Sequence, residues 1–344
     1  MNVRNKLRLG RATLAAACAI LLSSGPGLAQ TRIKLSLDSR IEGTAAPFAV
    51  AIDKGYFKAE GLDVTIEPAP NRLEPLNRVA TGGYDMGFVD INALIKFRDA
   101  NPSSALKAVF MVYNRPAFAI IGRKSRGVAK PKDLEGKTLG APAADLAYAQ
   151  WKIFTKANDI DPAKVKIENV GIPVRDPMLQ NGQVDAITGL SSSSFINLKS
   201  MGVPVDDIVV MPMADYGVDL YGNVIMVSPK LAAENPDAVK GFLRAFLKGL
   251  KDTVKNPTAA LDSVLKRNEE AHKPVELERL RLTIKDNILT PEVKANGYGG
   301  VDDARLAKAI DQIALTYEFK KAKPKAADAF DASFLPPASE RKAP

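Results

Sequence analysis

The 344-residue chain is poor in side chains that do chemistry on their own, with one cysteine, one histidine and one tryptophan. Cys18 falls in an N-terminal stretch that reads as a cleaved leader. The mature chain is therefore expected to carry no disulfide, no thiol nucleophile and no cysteine metal ligand. His272 stands among Glu269, Glu270 and Lys273, the setting of a surface residue. Such an inventory argues against Cys–His and Ser–His–Asp catalysis. There is no GxxxxGK[ST] loop to cradle phosphates, and no metal or organic cofactor is expected. After residue 29 no apolar run is long enough to cross a membrane. A dense basic run with interleaved aromatics is also missing, so no nucleic-acid partner is expected.

What is present begins with an export signal. Arg4, Lys6, Arg8 and Arg11 form a positive start without acids, Ala12 to Leu22 is an apolar run of 11 residues, and Gly27-Leu28-Ala29 is a small-residue cleavage site. Residues 1–29 are read as a signal peptide, with maturation before Gln30 and a periplasmic destination. Four of the 48 Lys and Arg leave with the leader and all 39 Asp and Glu stay, so net charge falls from +9 to +5. The remaining 315 residues exceed the usual size of one core, and two lobes are expected.

The body of the chain alternates strands and helices. Ile33 to Leu37 reads as a strand, Pro47 to Ile52 as a helix, and Leu62, Val64 and Ile66 alternate with polar residues as the next strand. Gly55 and Gly61 serve as turn points. Such strand–helix–strand units build parallel sheets, whose ligands sit at the strands' carboxyl ends. The α/β pattern restarts near residue 120. Gly182-Gln183-Val184-Asp185-Ala186 then echoes Gly83-Tyr84-Asp85-Met86-Gly87: a helix, a glycine stop, an Asp at the strand start. A strongly amphipathic helix opens at Pro236-Asp237, and helices follow around 258–267, 274–287 and 301–319. The segment 321–344, rich in Lys, Ala, Pro and Asp, reads as a flexible tail.

Six blocks carry a resemblance. AspLysGlyTyrPheLysAlaGluGlyLeuAspVal (53–64), AlaThrGlyGlyTyrAspMetGlyPhe (80–88), ProLysAspLeuGluGlyLysThrLeuGly (131–140), GlyGlnValAspAla (182–186), AspTyrGlyVal (215–218) and AsnProAspAlaValLysGlyPheLeuArgAlaPhe (235–246) follow one another in order. Together they resemble the solute-binding proteins of ABC importers, in particular the group for thiamine pyrimidine precursors, taurine, alkanesulfonates and nitrate. The resemblance implies an α/β, two-lobe periplasmic binding protein of type II with two hinge crossings. Lobe I would hold 31–115 plus 222–320 and lobe II 118–218. The crossings would run through Arg115–Arg123 and Gly217–Gly222, which permits closure around a ligand. The implied partners are a small-molecule ligand and the importer's permease and ATPase, with the protein itself a monomer. Eukaryotic relatives of this fold make thiamine pyrimidine with a histidine and a cysteine-rich motif. The mature chain has no such motif, so a non-enzymatic role is expected. The alternative is a periplasmic sensor that presents its bound state to a membrane signalling partner.

The strand-end loops supply the candidate ligand contacts: Arg40, Thr44, Asp90, Asn92, Asn114, Arg115, Asp145, Ser191, Ser192, Tyr216 and Tyr221. Helix starts at Thr44, Asn92 and Asp145 would aim free N–H groups at the cleft. Arg40 and Arg115 suit a carboxylate or sulfonate, although an arginine in a loop is more often solvated or salt-bridged. The serines are equally explained as a helix cap. Asp38-Ser39-Arg40 stands where many relatives carry Asp-Trp, which weakens a pyrimidine ligand. Asp145 would repel an anion, so the ligand class stays open among sulfonate, carboxylate, amphoteric and pyrimidine solutes.

Overall fold

The computed structural model describes residues 30–320 and 322–344. The expected leader, its cleavage site and Cys18 lie outside the described residues. Two five-stranded sheets organise the rest. The first takes β1 (Thr31–Ser36), β2 (Leu62–Glu67), β3 (Met86–Asp90) and β4 (Lys107–Met111), and the second β5 (Phe118–Arg123), β6 (Thr138–Gly140), β7 (Lys166–Glu168), β8 (Ala186–Leu190) and β9 (Ile208–Pro212). The chain then returns to the first sheet as β10 (Asn223–Val227). The orders are β2-β1-β3-β10-β4 and β7-β6-β8-β5-β9. Each sheet has four strands running in one direction and one antiparallel strand that has just arrived from the other lobe: β10 between β3 and β4, β5 between β8 and β9. The inserted strands read as near-continuous apolar runs because both their faces are covered, and in β5 only the terminal Arg123 escapes full burial. Edge strand β2 instead alternates buried and exposed residues along Leu62, Asp63, Val64 and Thr65.

The sequence echo between the lobes has a physical counterpart. In lobe I the Asp85 N–H donates to the Lys34 carbonyl, and the Lys34 N–H donates to the Asp85 carboxylate at 2.8 Å. In lobe II Asp185 makes the same pair of bonds with Thr138, at 2.9 Å each. Each Asp therefore locks the entry of the third strand to the first by a charge-assisted bond. Before each, a helix ends on a glycine in the left-handed region, Gly82 at φ +79° and Gly182 at φ +71°. Side chains other than glycine rarely hold that conformation.

The helix Pro236–Lys255 buries Val239, Phe242, Leu243, Phe246 and Leu250 on one face and packs on the helix Ala46–Asp53, with the Phe48 and Phe246 rings 4.5 Å apart. Burying each such phenylalanine contributes roughly 2–3 kcal/mol. The last residues depart from expectation. Although 321–344 reads as flexible, Phe330 is 5% exposed and bridges Ala108 of β4, and the Asp331 N–H donates to the Ala108 carbonyl. Further on, the Arg341 carbonyl accepts from the Tyr298 N–H at 2.7 Å. Composition hides this because a few apolar anchors, chiefly Phe330, suffice to dock a polar segment on a sheet edge. Helix boundaries shift as well. A helix from Asp145 is replaced by a 3-10 turn at Tyr148–Gln150 and a helix over Trp151–Ala157, and Asp145 caps locally by accepting from the Ala147 N–H.

Candidate ligand-binding cleft

The cleft lies where strand ends of both sheets meet the crossings, as expected for open α/β sheets. Lobe I contributes Asp38 and Ser39 after β1, Thr44 in the 3-10 turn Gly43–Ala45, and Arg72 after β2. Tyr113 and Phe118 bracket the first crossing, and Asn223 ends the second. Lobe II adds Leu146, Ser192 and Ser193, and the helix Lys273–Thr283 with its following turn adds Arg279, Thr283 and Asn287. That following turn, Ile284–Ile288, is a π-helix. Such turns recur at functional sites, and this one carries Asn287, which exchanges hydrogen bonds with the Arg115 backbone.

Two ion pairs dominate the polar wall. Asp38, 6% exposed, accepts from Arg72 Nη1 at 2.7 Å, from Asn223 Nδ2 at 3.0 Å and from Ser39 Oγ at 3.2 Å. The Asn223 carbonyl in turn accepts the N–H groups of Val112 and Tyr113, so Asp38 is tied to both crossings through one residue. Arg279, 8% exposed, places Nε 3.2 Å from Glu276 Oε2 and 3.5 Å from Glu42 Oε2, and its Nη1 donates to Ser193 Oγ at 3.0 Å. Glu276 also accepts the Gly43 N–H at 2.7 Å, which fixes the turn that presents Thr44. Burial pushes the Glu42 carboxyl above the usual range and the like charge of Glu276 adds to the shift, while Arg279 opposes it. The Tyr113 phenol is likewise pushed up, chiefly by burial, and Thr44 hydrogen-bonded to it works the other way. The cleft thus offers carboxylate acceptors, amide and hydroxyl groups of both kinds, and two aromatic faces.

Of the residues singled out from the sequence, Thr44 and Ser192 line the cleft, and Arg40 stands exposed in a small recess beside it with Ser39 and Thr44. The others sit elsewhere. Asp90 caps the helix Ile91–Ala100 by accepting from Ala93 N–H at 2.9 Å, and Asn92 donates to the Tyr221 carbonyl at 2.7 Å; both are buried. Asn114 and Tyr221 belong to a cluster behind the crossings. Arg305 donates there to the Asn114 and Leu220 carbonyls at 3.0 and 2.9 Å, lies 3.9 Å over the Tyr221 ring, and pairs with Glu292 at 2.7 Å. Arg115 pairs with Asp215, joining the first crossing to the turn that leads into the second, and it does not line the cleft wall. Asp145 is held inside lobe II by Thr188 at 2.7 Å and Arg175 at 3.2 Å. Ser191 is buried with its N–H on the Ala117 carbonyl, and Tyr216 packs against Phe154. Neither Asn92 nor Asp145 lines the cleft, although Leu146, next to Asp145, does.

Sequence reasoning missed Arg72, Tyr113, Asn223, Glu42, Arg279 and Asn287. For Asn223 a signal existed, since it follows the crossing and begins a strand, the mirror of the position before β5. Arg279 and Glu276 gave none, because an i,i+3 pair on a helix looks like surface chemistry.

The chain is similar in sequence both to proteins named for binding and to several named as synthases. A riboflavin-binding protein of Chloroflexus aurantiacus is 29% identical over 249 residues, 72% of this chain and 68% of that one. A formylaminopyrimidine-binding protein of Halalkalibacterium halodurans is 29% identical over 262 residues, covering 74% and 76%. A 4-amino-5-hydroxymethyl-2-methylpyrimidine phosphate synthase of Schizosaccharomyces pombe is 24% identical, covering 61% and 62%. In fold the chain matches the periplasmic aliphatic sulphonate binding protein of Escherichia coli, with a TM-score of 0.67 at 13% identity over 91% and 92% of the two chains. The architecture is that of a periplasmic binding protein, α/β with two sheets, as the sequence implied. The model of the NMT1/THI5-like family matches residues 43–260, well over half of the chain, and the protein belongs to that family.

Proposed function

We propose that this protein is an extracytoplasmic solute-binding protein that captures a small, neutral, polar heterocycle by lobe closure and hands it to an ABC importer. One observation carries the reading: a cleft between two sheet lobes whose inward arginines are each already matched by a carboxylate, Arg72 by Asp38 and Arg279 by Glu276 and Glu42. Such a wall suits a ligand that both donates and accepts hydrogen bonds and brings no anionic group of its own. Tyr113 and Phe118 supply flat apolar surface beside it. The names of the two binding-protein relatives, one for riboflavin and one for a formylaminopyrimidine, support the same class.

A binding role rather than catalysis is supported by the cleft's inventory. Among the described residues neither a thiol nor an imidazole lines it, and His272 is exposed at the start of the helix Lys273–Thr283. The leader read from residues 1–29 supports export, and sequencing of the exported protein should find Gln30 as its first residue.

The direct test is native mass spectrometry of protein purified from its own cells, followed by thermal shifts against pyrimidines, flavins, sulfonates and carboxylates. A ligand at 100 times its Kd stabilises by about 2.7 kcal/mol, enough to read easily. Stabilisation by a pyrimidine or flavin is the expected result. Stabilisation by sulfonates alone would overturn the ligand class.

A further inference from the structure

The two carboxylates that meet Arg279 are not equivalent. Glu276 is buried and built into the fold, since its Oε2 also takes the Gly43 N–H at 2.7 Å. Glu42 comes from the loop after β1, is about one-third exposed, and lies at the longer distance, 3.5 Å against 3.2 Å. It is the partner that can move. On the lobe II side the guanidinium is met by Ser193 Oγ at 3.0 Å. The other cleft guanidinium, Arg72, is engaged by Asp38 at 2.7 Å. Three carboxylates therefore face the two guanidiniums of the cleft wall, and with Arg40 exposed in the recess outside it, an anion entering the cleft finds both wall cations occupied and a negative charge beside each.

We propose that Glu42 is a specificity-determining residue: it covers the Arg279 guanidinium and turns anionic solutes away from the cleft. The inference rests on the binding role proposed above and adds the device by which this chain differs in ligand charge from fold neighbours named for sulphonates. The charged groups acting on Glu42 are Arg279, Glu276, Arg72 and Arg40. Without Glu42's charge, Arg279 keeps a single carboxylate and presents an open side toward Ser193. An anion bound there would satisfy a guanidinium fork and a serine hydroxyl together. A like charge at contact distance, at an effective dielectric near 20, disfavours binding by roughly 10- to 1000-fold.

The test is titration calorimetry with ethanesulfonate against the full chain, Glu42→Gln, Glu42→Ala and Glu278→Gln. Ethanesulfonate binding should appear, or tighten at least tenfold, in both Glu42 variants. Glu278→Gln removes the same charge from an exposed pair with Lys199 and should gain nothing. Adding Arg279→Gln to Glu42→Gln should cancel the gain. Unchanged ethanesulfonate affinity in natively folded Glu42 variants would overturn the proposal, as would an equal gain in Glu278→Gln. The comparison uses ethanesulfonate alone, so a wild-type protein that binds no heterocycle would count against the proposed function while leaving this result readable.

Discussion

Arg305 does not line the cleft, yet it holds the backbone of both crossings. Its guanidinium reaches the carbonyls of Asn114 and Leu220 and the carboxylates of Glu292 and Asp219, and it stacks on Tyr221. Replacing it with Met leaves two carbonyls and two carboxylates each short of a donor. Hydrogen bonds to charged groups contribute about 1.5–3 kcal/mol each, and the losses are not additive. Arg305→Met should therefore lower the melting temperature of the empty protein by several degrees, read by calorimetry. Asp90 gives a pH signature. Burial raises its pKa to about 7, against the helping N–H of Ala93 and the Asn92 amide. Between its unfolded value near 3.8 and about 7 the folded state binds the proton more tightly. Its contribution to stability is thus complete below about pH 4 and lost as pH rises through 7. Asp90→Asn keeps a capping oxygen, so its melting temperature should fall less than that of the wild type between pH 5 and 8. At this scale the sequence was least legible. Thr44 and Ser192 stood out because they follow strands. Asp90 and Asp145 stood out for the same reason, but their partners, Ala93 and Thr188, are set by local caps and a neighbouring strand that spacing does not reveal.

The elements were far more legible than the side chains they carry. Alternation along β2, the apolar run of β5 and the face of Pro236–Lys255 follow from burial alone. The repeated Asp at the third strand could be seen as a pattern, though not as the backbone lock it makes with Lys34 or Thr138. The crossings show why contact matters more than propensity. The Gly222 N–H donates to the Tyr113 carbonyl at 2.9 Å, and a methyl group added at Gly222 would sit 2.9 Å from that oxygen and 3.0 Å from Pro116 Cα. Both obstacles are backbone, so neither can swing aside. Gly222→Ala should cost about 1–3 kcal/mol by pushing the crossings apart. Its melting temperature should drop, and small-angle scattering of the empty variant should show a larger radius of gyration.

For the molecule as a whole, the two-lobe plan followed from length, from the restart of the pattern near residue 120, and from six ordered blocks. What sequence could not supply was the pairing of each crossing strand into the opposite sheet, since β5 and β10 find partners far away along the chain. If the cleft is the ligand site, saturating heterocycle should shrink the radius of gyration in small-angle scattering; tight binding with no change would mean a rigid pocket. The docked C-terminal segment bears on handling the protein. β4 is the edge of its sheet, and its outward hydrogen-bonding groups are met at Met111 by Gly299 and at Ala108 by Phe330 and Asp331. A bare edge is a template for pairing with another copy. Trimming the chain after residue 320, as one might to shorten a seemingly loose end, should yield a self-associating protein. Its scattering mass should climb with concentration while that of the full chain holds constant.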